Sequence, residues 1–308
     1  MIDDSRPVSS GLECPRGPQL APEDANFTDE ILTEHGSTSG NFATFGAESG
    51  QSNSPDHENL VSKVLLDIDA GGAKSFNIKI AEADIDIRVH SSSRVLVTTL
   101  APVGVDLTSF NVAVRARSLG LSFQPKGGLR RGSRTNTDNV RLTLYLPAYF
   151  SITALSTTGA IAVSGVKGPT VVRSVSGRVA LNELAGGVRA ETKSGDISGN
   201  CPSKEIHLVT KSGNIDFDGL TGAVFCQTKT GNANLTWRES PHDAKVLIRS
   251  GAGPVSLYFP PAAQLNYRFI TGANAIMNEF EQCGTSNFCV RIISRRGDLL
   301  LKKHVDPV

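Results

Sequence analysis

From Ser151 onward, apolar and hydroxyl side chains recur on a fixed beat of [Ser/Thr]-x-[Ser/Thr]-Gly-x-x. Its glycines stand at Gly159, Gly177, Gly195, Gly213 and Gly231, at one constant interval. Aligned on those glycines, the chain falls into columns. Seven positions before the glycine are Ile152, Thr170, Val188, Ile206 and Val224, and five before are Ala154, Val172, Ala190, Leu208 and Cys226. Three before are Ser156, Ser174, Thr192, Thr210 and Thr228; one before are Thr158, Ser176, Ser194, Ser212 and Thr230. Alternate residues of a strand face the same way, so these columns share a side. The other parity carries Arg173, Arg189, Glu191, Lys193, Lys211, Gln227 and Lys229, which need water. The apolar and hydroxyl columns are therefore expected to point inward, the hydroxyls as hydrogen-bonded ladders.

After the glycine the alternation resumes with Ile161, Val179, Ile197 and Ile215, then Val163, Leu181 and Phe217, with Gly199 as an interruption. Each unit reads as two short strands meeting at a glycine corner, where glycine is expected to supply positive φ and to avoid a Cβ clash. Looser copies are read at Gly251 and Gly272, with an echo at Gly297. A repeat this short implies stacking, because one unit cannot bury its own apolar face. The fold class expected is all-β: a right-handed parallel β-solenoid of about 18-residue two-strand coils. An N-terminal block of strands and a C-terminal hairpin are expected to cap it, since open sheet edges invite aggregation.

Upstream, short apolar runs alternate with turn residues: Val64–Asp69, Phe76–Ile80, Ile85–Val89, Val95–Leu100, Phe110–Arg115, Leu119–Phe123 and Val140–Leu146. They predict strands arranged as antiparallel meanders. Residues 1–59 have isolated apolar positions among Ser, Gly, Pro, Asp and Glu, which predicts a disordered tail. The organisation expected is an acidic tail over 1–59, a strand block over 60–150, repeats over 151–282 and a cap over 283–308. The 30 glycines and 15 prolines suit strands joined by many tight turns.

Charge divides the chain. Residues 1–60 hold eleven acids against Arg6 and Arg16, a formal −9, which leaves +10 for the rest of a chain whose net charge is +1. No basic region followed by an apolar run opens the sequence, and no run of about 18 apolar residues occurs. Five cysteines without a CxxC pair predict reduced thiols and a cytoplasmic or other intracellular compartment. Cys283 and Cys289, which could face each other across a hairpin, are read as free. No metal site, cofactor or catalytic residue is expected.

The units resemble a known family. Thr192-Lys-Ser-Gly-Asp-Ile197 and Thr210-Lys-Ser-Gly-Asn-Ile215, preceded by Leu144-Tyr-Leu-Pro147 and followed by Leu257-Tyr-Phe-Pro260, are similar to the "putative adhesin" family of β-solenoid domains over roughly residues 61–300. That resemblance implies a binding surface and supplies no catalytic residues.

The functional reading is a non-catalytic binding or scaffold module that presents a flat, repetitive, partly basic face to a protein or polyanion. Lys193, Lys211 and Lys229 should line up about 4.8 Å apart, with Arg173 and Arg189 as further candidates. The acidic tail could itself occupy that face. Outward apolar residues Leu155, Val171, Val175, Val209 and Phe225 are read as lying under a covering strand or hairpin in preference to forming a partner patch. The alternative is a polysaccharide-active enzyme that uses Asp196, Asp216 and Asp218 as surface carboxylates. The inward parity of the hydroxyls argues against an ice-binding face. Nucleic acid is disfavoured, with one Trp and four Tyr for stacking. The basic loop Lys126–Arg134 lacks the ending of a phosphate loop and reads as a hairpin connection.

Overall fold

The computed structural model describes residues 60–304 except 104, 106, 108, 109, 116, 124–139, 242, 273 and 274. The expectations placed on the acidic tail and the 126–134 loop lie outside the described residues. Within them the chain is all-β, with two large, mostly parallel sheets and no α-helix.

Strands β1 (Leu60–Asp69), β2 (Ser75–Lys79), β3 (Asp84–His90), β4 (Arg94–Pro102), β5 (Phe110–Val114), β6 (Ser118–Phe123) and β7 (Arg141–Pro147) come first. Strands then follow in pairs: β8 (Ser151–Ser156) and β9 (Ile161–Ser164), β10 (Thr170–Ser174) and β11 (Val179–Asn182), β12 (Val188–Thr192) and β13 (Ile197–Asn200). Next are β14 (Glu205–Thr210) and β15 (Ile215–Leu220), β16 (Ala223–Thr228) and β17 (Ala233–Trp237), β18 (Lys245–Ser250) and β19 (Val255–Phe259). The chain closes with β20 (Asn266–Thr271), β21 (Ile276–Asn278), β22 (Cys289–Ser294) and β23 (Leu299–Lys303). The first member of each pair enters an eleven-stranded sheet and the second a twelve-stranded sheet. Such a pair is called a rung below.

From β8 to β17 neighbouring rungs are offset by the interval of the glycine repeat, as in Ile152↔Thr170↔Val188↔Ile206↔Val224 and Ile161↔Val179↔Ile197↔Ile215↔Ala233. Like therefore sits on like, and the inward columns join one apolar cluster drawn from both sheets. At the Gly199 interruption the Leu181 carbonyl of one neighbouring strand excludes a Cβ, and the Phe217 ring of the other crowds the same space.

The corner works differently from the expectation in two respects. None of Gly159, Gly177, Gly195, Gly213 or Gly231 has positive φ; in this column only Gly297 does, at 91°. What excludes a side chain is the carbonyl oxygen one rung below, which a Cβ on Gly177, Gly195, Gly213 or Gly231 would strike. The column also continues through Gly253, not Gly251 or Gly272, and reaches Gly297 as expected. Four extra residues separate Val224 from its partner Val246, so Ser250 pairs with Thr228 and Gly251 falls two places before the column glycine.

Only half of the hydroxyl expectation holds. Ser156, Ser174, Thr192, Thr210 and Thr228 are buried, and each reaches backbone or a neighbouring hydroxyl. The Thr192 and Thr210 hydroxyls meet at 2.9 Å, while Thr210 and Thr228 accept the amides of Gly213 and Gly231 at 3.0 Å. Thr158, Ser176, Ser194, Ser212 and Thr230 are exposed, because the chain bends after the buried hydroxyl and strand parity resets.

Both ends depart from simple succession. In the N-terminal block, β1–β4–β7 and β5–β6 pair antiparallel as expected, but β2 and β3 pair in parallel with β6 and β8 and with β7 and β9. Ile85 and Ile87 thereby extend the columns of Ile161 and Val163. At the C-terminal end the expected hairpin is absent among the described residues. Strand β22 runs parallel to both β18 and β20, and β23 lies between β19 and β21. The last rung in sequence is thus inserted inside the one before it, which leaves β20 and β21 as edges. Its inward Val290, Ile292, Leu299 and Leu301 are buried, whereas Ile270, Ile276 and Met277 of the outer rung are exposed.

Candidate binding surface

The three lysines stand where the sequence places them. Each occupies the corner two residues before its column glycine, is exposed, and is joined to the next by a backbone bond: Lys211 N to Lys193 O and Lys229 N to Lys211 O, both 3.2 Å. Their ammonium groups make no ion pair among the described residues. Like charges stacked this closely repel, and a bound anion would relieve that repulsion.

Beside each lysine runs an exposed hydroxyl. The side chains of Ser194, Ser212 and Thr230 donate to the carbonyls of Val175, Lys193 and Lys211 at 3.4, 3.4 and 3.5 Å. A hydroxyl has one proton and two lone pairs, so the donor is used and acceptor capacity is left outside. Strand parity read from the sequence hides this column, because the parity does not carry across the bend. As a single file along a corner it is also unlike a flat hydroxyl face.

Arg173 and Arg189 are occupied otherwise. Both clasp Glu191, from Arg173 Nε at 2.9 Å and from Arg189 Nε at 2.5 Å, with the three side chains only 22–29% exposed. The carboxylate is shared between two guanidiniums, so the cluster is offset in part and keeps a formal +1 on this part of the eleven-stranded face. On the same face the half-buried Phe225 ring lies 4.4 Å from His207 and 5.7 Å beneath the Arg249 guanidinium. Side chains rather than a strand cover this apolar position.

No two of the candidate carboxylates are register partners on adjacent rungs. Asp216 is flanked in register by Ser198 and Asn234, and Asp218 has Asn200 beside it. Asp218 bonds the Gly219 amide at 2.7 Å and the Arg238 guanidinium at 2.6 Å, while Asp196 accepts the Asn214 amide at 2.7 Å. Asn214 in turn accepts the Asn232 amide at 3.0 Å, so this column fastens one corner to the next.

Among the described residues, Cys201, Cys226, Cys283 and Cys289 form no disulfide. Burial pushes Cys201 up to about 11 and Cys226 up to about 12. A hydrogen bond with the Thr285 hydroxyl holds Cys283 below the usual thiol range.

No family model matches the chain, and no curated protein matches its sequence. Solved structures do match. A "putative adhesin" from Bacteroides fragilis aligns with a TM-score of 0.50 and 14% identity, covering 80% of this chain and 98% of that one. A "putative lipid binding protein" from Parabacteroides distasonis gives 0.51 and 14%, covering 81% and 98%. At this identity the likeness is one of fold. No helix among the described residues is long and apolar enough to cross a membrane.

Proposed function

We propose that the two sheets wind as a right-handed parallel β-solenoid and that the chain is a non-catalytic binding or scaffold module for a polyanionic or protein partner. The observation that carries this reading is the corner stack of Lys193, Lys211 and Lys229, three cations without an ion pair among the described residues, held in file by consecutive backbone bonds. The solenoid description rests on the constant offset between rungs and on the alternation of successive strands between the sheets. The strands β1, β4 and β5 act as one cap and the β20/β21 rung as the other. The names of the two solved structures, an adhesin and a lipid-binding protein, agree with a binding role.

The test is retention on an immobilised polyanion. The full chain is expected to bind and to elute with salt. The Lys193→Gln/Lys211→Gln/Lys229→Gln variant, folded as judged by circular dichroism, should elute at clearly lower salt. Equal retention of the two proteins sinks the reading. Cleavage of a sugar chain that Asp216→Ala abolishes would replace it with the enzymatic one.

A further inference from the structure

The lysine file does not stop at Lys229. Strand β18 pairs with β16, and β22 pairs with β18 in turn, through Thr228↔Ser250↔Ser294. The residue after each of these occupies the lysine position, so the file continues Lys229, Gly251, Arg295. The backbone bonds follow the same order, with Gly251 N bonded to Thr228 O, Ala252 N to Lys229 O, Arg295 N to Ser250 O and Arg296 N to Gly251 O. Arg295 and Arg296 are exposed and, among the described residues, carry no ion pair. In sequence the strands β17 to β22 all lie between Lys229 and Arg295. Only the insertion of the last rung beside β18 brings the two within two steps, and Gly251 leaves a notch between them.

We infer that Lys193, Lys211, Lys229, Arg295 and Arg296 form one continuous binding line for a linear polysaccharide that carries an anionic group on its sugar rings. The inference rests on the binding reading above and adds to it a ligand class and two arginines. Four steps of about 4.8 Å make the line about 19 Å long. Its narrowness fits an extended chain better than a broad protein face.

The neighbouring groups select a sugar over a nucleic acid. The hydroxyls of Ser194, Ser212 and Thr230 spend their protons on backbone carbonyls and turn lone pairs to solvent. A sugar ring offers hydroxyl donors to those lone pairs, whereas a phosphodiester offers only acceptors. Among the described residues no aromatic side chain stands at the corner positions beside the line, and single-stranded nucleic acids bind through such platforms. The carboxylate of Asp196 is held by the Asn214 amide.

Oligogalacturonates of graded length, titrated into the full chain by calorimetry, test this. Affinity should climb with length until the oligomer spans the line, then level off per molecule. Arg295→Gln/Arg296→Gln should weaken long oligomers about fivefold or more and leave short ones nearly unchanged. The triple lysine variant should weaken both. If the lysine variant loses affinity but the arginine variant keeps it, the continuous line is wrong and the lysine-based reading survives. If the wild-type chain binds no oligogalacturonate, the inference fails, and retention on other polyanions decides the broader reading separately. Tighter binding of single-stranded DNA of matched length would overturn the choice of a sugar.

Discussion

The middle of the array and its ends obey different rules of succession. From β8 to β19 each rung lies on the one that precedes it in sequence, at the constant offset of the repeat and then, before β18, at one lengthened by the inserted residues. At both ends the chain passes over a rung position. Strand β8 follows β7 after three residues, yet β2 and β3 lie between their rungs. Strand β20 follows β19, yet β22 and β23 come between. Two rung steps are only about 9.6 Å, and four Cα–Cα steps reach about 14 Å. A short connection therefore reaches the second neighbour as readily as the first. At the C-terminal end the rung richer in aliphatic residues goes inside and the poorer one becomes the edge, which removes more apolar surface from water.

Glycine substitutions break this comparison most forcefully. At Gly213 a Cβ would run into the Gly195 carbonyl within the parallel stack, where neither backbone can yield. Gly213→Ala is expected to cost about 3 kcal/mol or more. At Gly272 in the edge rung the nearest obstacle, the Arg295 carbonyl, would lie 2.8 Å from an alanine Cβ. An edge strand can shift, so Gly272→Ala should cost about 1 kcal/mol. At Gly187 nothing stands within 4 Å, and alanine there should be neutral within about 0.5 kcal/mol. Urea unfolding of the three variants checks the order; equal losses at Gly213 and Gly272 would remove the distinction between middle and end.

What is legible in the sequence follows the same division. The regular glycine spacing identifies the columns and the lysine file because every rung there meets its sequence neighbour. Ser250-Gly251 looks like another Ser-Gly corner, and the four residues added before it are invisible to a pattern keyed to glycine. Arg295 and Arg296 cannot be joined to Lys229 from sequence, because spatial order at the end depends on which rung buries more aliphatic surface and not on spacing. Arg173 and Arg189 are recognisable as outward, yet their use by Glu191 needs the register Arg173↔Glu191.

Thiols give a second contrast. Cys201 and Cys226 sit inside the middle rungs with pKa values of about 11 and about 12, against about 8.5 for a free thiol. Their folded values are raised, so the unfolded chain ionises first as pH climbs. Stability is unaffected below about pH 8.5 and falls above it, by up to about 1.4 kcal/mol per pH unit for each thiol until its folded pKa is reached. Comparing the wild type with Cys226→Ala by denaturation between about pH 8.5 and about pH 10 should show a shallower decline in the variant. Cys283, at the C-terminal end, should alkylate in the folded protein well before Cys201 or Cys226, and simultaneous labelling would contradict the burial of the middle pair.

The smallest effect, and the one that links stability to the binding line, concerns Glu191. Its carboxylate holds two guanidiniums in a half-buried cluster in the middle of the array, whereas Arg94 and Asp67 at the N-terminal end form a pair about half exposed on both sides. Water screens the second pair and much less the first. Glu191→Gln keeps the shape and one acceptor while removing the charge, and should cost about 1 kcal/mol; Arg94→Gln should cost about half that or less. The same Glu191 substitution releases Arg173 and Arg189 beside the lysine file, so oligogalacturonate affinity should rise about two- to threefold. Stability loss with unchanged affinity would confine the two arginines to a structural role, and a fall in affinity would place Glu191 itself among the groups that position the line.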